Sequence, residues 1–288
     1  MLDMIYVLLT AIIVSSASAL AGSFLVVRQQ SMIGDAVSHT VLLGMVLAFL
    51  LTHQLGSLSM FIGAVVIGMV TTILIQLLEH LGIQSDAAIG MIFTSLFALG
   101  VLLISFFARD VHMDLDHVLF GEIAYVPWDR LYIGTYDLGP RALWTSGSVL
   151  ILDILFVLLF FKPLYVASFD PSFARHIGFS PRIVHYMMMF FISLTAVVAF
   201  DAVGAILTVA MLITPGATSV LLTNRLPHTL FLSIFIGILS ATIGYGFAAW
   251  LDVSISGSMA VSAGLFFALV YVFAPRYGRL RRYRQKRS

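Results

Sequence analysis

The stretch MIYVLLTAIIVSSASALAGSFLVV, residues 4–27, contains no charged side chain. A helix that crosses a bilayer needs about 20 mainly apolar residues, so this run is long enough. With small residues at Ala17, Ser18 and Ala19, it also resembles a secretion signal. A signal needs positive charge ahead of its apolar run and is not followed by many further spans. Here only Asp3 precedes the run, without Lys or Arg, and similar runs recur to the end of the chain. The stretch therefore reads as a first membrane helix.

Working outward, comparable stretches occur at roughly 32–51, 58–78, 87–107, 143–161, 183–200, 203–222, 229–250 and 258–274. Composition agrees: over 288 residues, 60% are hydrophobic, 10% are charged and the mean hydropathy is +1.06. Soluble domains carry about 25% Asp, Glu, Lys and Arg; with so few charges, lipid is the solvent for most of this chain. The expected fold is all-α, a polytopic membrane bundle of eight or nine helices. Thr214-Pro215-Gly216 interrupts the seventh stretch, so eight crossings plus a broken or re-entrant element is the alternative. Residues 1–275 form the membrane domain and 276–288 a basic tail.

Alternating the loops of a nine-span chain places Arg28, Lys162, Arg175, Arg182, Arg225 and the seven tail cations on one side. Arg109, Arg130 and Arg141 fall on the other. Cytoplasmic loops are the ones enriched in Lys and Arg, so the tail is expected in the cytoplasm. The long outer segment, about 108–142, then carries Asp110, Asp114, Asp116, Glu122, Asp129 and Asp137. Its carboxylates, Asp114 and Asp116 among them, would concentrate cations at an acidic outer mouth. Whether this segment is re-entrant is open. Net charge is +1, and because the basic residues cluster in the tail it gives no reason to expect nucleic acid. With no cysteine, disulfides and thiolate metal sites are excluded.

The second span opens Ser31-Met32-Ile33-Gly34-Asp35-Ala36-Val37-Ser38-His39. Four residues apart on a helix, Asp35 and His39 share one face. A carboxylate inside a membrane usually faces a cavity or a partner, and one oxygen beside one imidazole nitrogen suits a divalent transition metal. Alternatively, the two side chains simply hydrogen-bond each other at the headgroup level. Farther on, Asp170-Pro171-Ser172-Phe173-Ala174-Arg175-His176-Ile177-Gly178 reads as a short helix, with Asp170 as N-cap, Pro171 in the first turn and Gly178 as its stop. A helix of about two turns is unstable alone, so it needs a surface to dock on, in its own membrane domain or in another protein. Three consecutive methionines, Met187 to Met189, point about 100° apart and cannot converge on one ion, which leaves packing as their role. Ser18-xxx-Gly22, Gly34-xxx-Ser38 and Ser240-xxx-Gly244 are spacings that permit close helix contact. Neither Lys162 nor Lys286 lies in a P-loop, so any ATP hydrolysis would belong to a separate chain.

Four segments, RQQSMIGDAVSHTVLLG (28–44), DLDHVLFG (114–121), FDPSFARHIG (169–178) and VGAILTVAMLITPGAT (203–218), resemble the membrane permeases of bacterial ATP-binding-cassette importers for manganese, zinc and iron. The resemblance covers nearly the whole chain in the same order. It implies a homodimer of permeases in the bacterial cytoplasmic membrane, two cytoplasmic ATPases, and a metal-binding protein outside that delivers the ion. It further implies that Asp35 and His39 lie in the translocation path. Coupling to the ATPase would fall to the short helix, through Asp170, Ala174, Arg175 and Gly178. Such a chain is a transport subunit and no enzyme. It has no permanent cofactor; its cargo is a manganese, zinc or iron ion, with manganese favoured. The alternative is a stand-alone proton- or sodium-coupled cation transporter, which would be expected to carry more intramembrane carboxylates; Asp35 is the clearest, with Asp153 and Asp201 placed nearer span ends. An intramembrane metalloenzyme would want a His-Glu-x-x-His set, and the chain has none.

Overall fold

A computed structural model describes residues 2–53, 58–107, 123–133 and 136–274. Four long helices come first: α1 (Leu2–Val27), α2 (Ser31–Thr52), α3 (Leu58–His80) and α4 (Ser85–Phe107). A 3-10 turn (Ile123–Trp128) and an antiparallel hairpin of β1 (Arg130–Ile133) and β2 (Tyr136–Pro140) follow. The chain then forms α5 (Arg141–Leu159), α6 (Phe161–Phe169), α7 (Pro171–His176), α8 (Pro181–Val203), α9 (Ala205–Leu222), α10 (Leu226–Leu251) and α11 (Ile255–Phe273). Among the described residues, nine of these helices are long and apolar enough to cross a membrane: α1 to α5 and α8 to α11. The seventh stretch is thus one of nine candidate spans and not a broken element.

Thr214-Pro215-Gly216 does not break α9. Proline removes the backbone donor that would reach the carbonyl four residues back, yet the helix continues from Ala205 to Leu222 with Pro215 inside it. Local hydroxyls help to satisfy the neighbouring carbonyls: Thr218 donates to Thr214 O at 2.7 Å and Ser219 to Gly216 O at 2.7 Å. The same turn is buried against Ser23 of α1, and that packing holds the helix together.

Packing partners set the direction of each helix. Leu207 near the start of α9 shares a core with Val7 and Ala11, while Leu212 and Gly216 lie against Gly22 and Ser23, so α9 runs parallel to α1. α8 and α10 run the opposite way. Arg28 reaches His185 in the second turn of α8, and the far end of α8 clusters with Val7. Ser23 donates to Ser233 of α10 at 2.7 Å, whereas Gly237 faces Ser15 and Ala19. α2 and α3 are joined at mid-height, where Thr71 Oγ1 donates to Thr40 Oγ1 at 2.8 Å.

Small residues allow the closest of these contacts, as the spacings in the sequence predict. A Cβ at Gly22 would come within 1.7 Å of the Leu212 carbonyl oxygen, and one at Gly244 within 2.4 Å of Met259 Cα. Ser18, Ser38 and Ser240 in the same spacings are fully buried. Met188 and Met189 are core residues as well, at 1% and 0% exposure. α1, α2 and α8 form the buried centre, while α4, α5 and α11 lie at the periphery, with Leu155, Leu158, Leu265 and Leu269 exposed.

The two ends of the bundle differ. At one end Arg130 bridges Asp3 at 2.9 Å and Asp137 at 2.7 Å, which pins the hairpin to the start of α1. At the other lie Arg28, α6 and α7. α8 and α9 meet at the hairpin end through Gly204 alone, whose φ of 81° lies in the left-handed region that glycine adopts without strain. The tail from 276 to 288 lies outside the described residues.

Candidate functional site

The start of α2 is placed by a tight reversal after α1. Gln30 N–H bonds Leu25 O at 2.8 Å and Arg28 N–H bonds Phe24 O at 3.0 Å, with Gln29 at φ 59°. These bonds close the last turn of α1 in the manner of a Schellman cap. The Arg28 guanidinium then turns inward, where its Nη1 donates to His185 Nδ1 at 3.4 Å and lies 3.4 Å from Met188 Sδ. Burial pushes the Arg28 pKa down from its ordinary value, although a guanidinium stays charged in proteins.

Asp35 and His39 follow on α2, at about 6 Å and about 12 Å along the helix from Ser31 at 1.5 Å per residue. The structure brings them together, with His39 Nε2 3.4 Å from Asp35 Oδ1. Their flanking neighbours Gly34, Ala36, Val37, Ser38 and Thr40 are all buried, whereas the His39 and Asp35 side chains keep 28% and 35% exposure. The pair is thus a partly open spot within an enclosed stretch of the helix, from Ile33 to Leu43. Phe93 and Phe97 of α4 stand against the imidazole, with ring centroids at 5.3 Å and 6.0 Å, and so restrict its rotation.

The separation itself fits a shared ion. Two metal–ligand bonds of about 2.1 Å meeting at a tetrahedral angle set their donor atoms about 3.4 Å apart. An ion shared by the pair would lie between these two atoms. One chain supplies only these two donors: among the described residues no group of three His, Asp or Glu converges. Asp114 and Asp116 lie outside the described residues.

The second predicted element also folds as its sequence dictates. Asp170 Oδ1 accepts from Ser172 N at 3.0 Å and Phe173 N at 2.9 Å, which caps α7. Gly178, at φ 91°, ends it, with Phe179 N–H returning to Ala174 O at 3.0 Å. Ala174 is fully buried against the bundle, whereas Phe173 and Ile177 remain 53% and 45% exposed. A cleft of about 500 Å³ opens beside them, lined by Pro171, Arg175, Phe179, Ser180, Pro181 and Arg182. Part of the docking surface of α7 is therefore its own membrane domain, and its outer face offers apolar and cationic groups to something else.

Sequence reasoning passed over three features. α6 is separate from α5, with the break at Phe160 and a proline two residues inside the new helix. Phe93 and Phe97 carry no motif beyond their spacing of four. Asp153 lies about 9 Å from the Leu159 end of α5, and what periodicity does not show is that it is only 2% exposed.

Among the described residues, nine helices long and apolar enough to cross a membrane, a partly open Asp–His pair on one of them and a capped cationic helix at one end define a polytopic membrane protein. The comparisons with known proteins agree. The chain belongs to the ABC 3 transport family, whose model matches residues 2–274. It is 49% identical to the manganese transport system membrane protein MntD of Bacillus subtilis, over 95% of this chain and 92% of that protein. It is 45% identical to the zinc transport system membrane protein TroD of Treponema pallidum, over 96% of this chain and 75% of that one. Among solved structures it is similar to PsaBC from Streptococcus pneumoniae in complex with Fab, with a TM-score of 0.80 and 34% identity over 98% of this chain and 94% of that chain. The family is one of transport subunits, and this chain is a multi-pass protein of a bacterial inner membrane.

Proposed function

We propose that this chain is the permease of an ATP-driven importer that carries a divalent transition metal, manganese in the first place. The observation that carries this reading is the Asp35–His39 pair, held at metal-chelating separation on the open part of a buried helix. Of the relatives above, the more similar is named for manganese and the less similar for zinc, so zinc is the second cargo to test. Both metals take oxygen and imidazole ligands.

A transition metal takes four to six ligands. Two copies related by a two-fold axis would bring two carboxylates and two imidazoles to one ion, which is why we assign a homodimer. ATP hydrolysis falls to a separate cytoplasmic ATPase docked on α7, and a metal-binding protein outside the membrane delivers the ion. Asp114 and Asp116 would attract cations to the outer mouth. The positive-inside rule puts the Arg28 end and the basic tail in the cytoplasm.

The test is ATP-driven uptake in proteoliposomes holding permease, ATPase and binding protein, read by metal analysis of the lumen. Manganese should accumulate in the parental system and not with Asp35→Asn. Accumulation of zinc alone would reassign the cargo; parental uptake by Asp35→Asn would remove the pair from the path. For α7, Ala174→Trp or Gly178→Trp should weaken ATPase binding or uncouple hydrolysis from uptake while the permease still inserts. A cysteine at Ser172 should be labelled only from the cytoplasm and one at Asp137 only from outside.

A further inference from the structure

Asp153 of α5 and Thr195 of α8 meet in the sealed interior, at 2% and 1% exposure. Thr195 Oγ1 lies 2.7 Å from Asp153 Oδ2 and 2.8 Å from the Phe191 carbonyl oxygen. A hydroxyl has one proton to give, and a carbonyl can only accept. With an ionised Asp153 the single Thr195 proton would have to be shared between two acceptors; both contacts are full hydrogen bonds when the second proton comes from Asp153, whose carboxyl then donates to Thr195 while Thr195 donates to Phe191. The surroundings agree. Among the described residues no cation pairs with Asp153, and the small adjoining cavity, about 10 Å³, is lined otherwise by apolar groups such as Leu20, Phe24, Val157 and Met188. Asp153 Oδ1 has no partner there, and a bridging water would need at least two polar neighbours. An unpaired carboxylate in such a place is strongly disfavoured.

The position of this bond in the chain gives it a role. α5 and α8 are the two spans on either side of α6 and α7, so any push on α7 enters the membrane through them. α5 is otherwise a peripheral helix that packs on α1 and on α8, and its contacts with α8 are otherwise apolar, such as the stack of Phe156 on Phe191 at 4.0 Å. Apolar surfaces in a lipid-exposed bundle can slide; a directional hydrogen bond resists sliding. We propose that Asp153 is a positioning residue, a neutral carboxylic acid whose bond to Thr195 makes α5 and α8 move as one lever when the ATPase displaces α7.

This rests on the coupling role of α7, and the two can fail separately. The experiment uses the full permease in proteoliposomes with its ATPase and binding protein, and reads manganese(II) ions imported per ATP hydrolysed. Thr195→Val and Asp153→Leu should still bind the ATPase and hydrolyse ATP but import about tenfold fewer ions per ATP, since each removes one partner of a buried bond. Asp153→Asn, whose amide can donate to Thr195 as the neutral acid does, should restore the parental ratio. The infrared carbonyl band of a protonated carboxyl should be present in the parental protein and lost in Asp153→Asn. Parental ratios in Thr195→Val overturn the lever even when Asp153→Leu does not fold. An Asp153→Asn protein as defective as Asp153→Leu, or absence of the infrared band, overturns the neutral acid. If Ala174→Trp and Gly178→Trp bind ATPase and transport normally, the α7 reading falls and the lever with it; if they fail while Thr195→Val is normal, only the lever falls.

Discussion

Two intramembrane carboxylates, one on α2 and one on α5, sit in opposite surroundings. Asp35 keeps 35% exposure and faces an imidazole 3.4 Å away, on a helix whose neighbouring residues are buried. Asp153 is 2% exposed and bonded to a single hydroxyl. A carboxylate that must meet a cation has to keep an open side and a second ligand donor, whereas one that only ties helices together is best sealed and neutral. Burial and partner type separate the two roles, although the residue is the same.

The largest effect expected from this contrast is on transport. Asp35→Asn and His39→Ala should each lower manganese uptake by about 100-fold or more, since even outer-shell changes at metal sites cost 10- to 100-fold. Asp153→Asn should leave uptake at the parental rate. Equal losses at both carboxylates, with assembly intact, would break the distinction. Because the chain contains no cysteine, accessibility can be read directly. His39→Cys should react with a small water-soluble thiol reagent in the assembled permease, and Thr195→Cys should react at least about tenfold more slowly. Similar rates at the two positions would show that the interior near Asp153 is wet.

A smaller effect is expected from pH. Metal ligands must be deprotonated to bind, so manganese affinity at Asp35 and His39 should fall on acidification, as isothermal titration of the detergent-purified complex would measure; a flat profile would argue against imidazole ligation. The smallest effect concerns Asp137 in the hairpin. The Gly139 N–H and the Arg130 guanidinium hold its carboxyl below the usual range. A depressed carboxylate contributes stability that is present above its unfolded pKa of about 3.9 and is lost as pH falls through the lower folded value. Acid titration followed by tryptophan fluorescence should show this step in the parental protein through Trp144, whose indole donates to Leu138 O at 2.9 Å. Asp137→Asn should lack it.

Much of this molecule is legible in its sequence because lipid imposes a simple rule: a run of apolar residues long enough to cross becomes a helix. Asp35 and His39 are legible for a similar reason, since a spacing of four fixes a shared face before any packing is known. Asp170, Pro171 and Gly178 announce the ends of α7 through local backbone chemistry. What could not be read depends on distant partners. Asp153 and Thr195 are separated by 42 residues, and nothing near either one names the other. The hairpin has strands of only four and five residues and is held by Asp3 from the far N-terminus, so periodicity over its few residues carries little signal. The continuity of α9 across Pro215 depends on α1, which lies almost two hundred residues earlier.

The single residue between α8 and α9 limits how this bundle can deform. Two peptide units at Gly204 can span only about 7 Å, so the hairpin ends of these helices cannot part, however their opposite ends swing. They behave as a pair of dividers, with a fixed corner and free points. Passage for an ion at that end has to open between helices that are not tied together by a single residue.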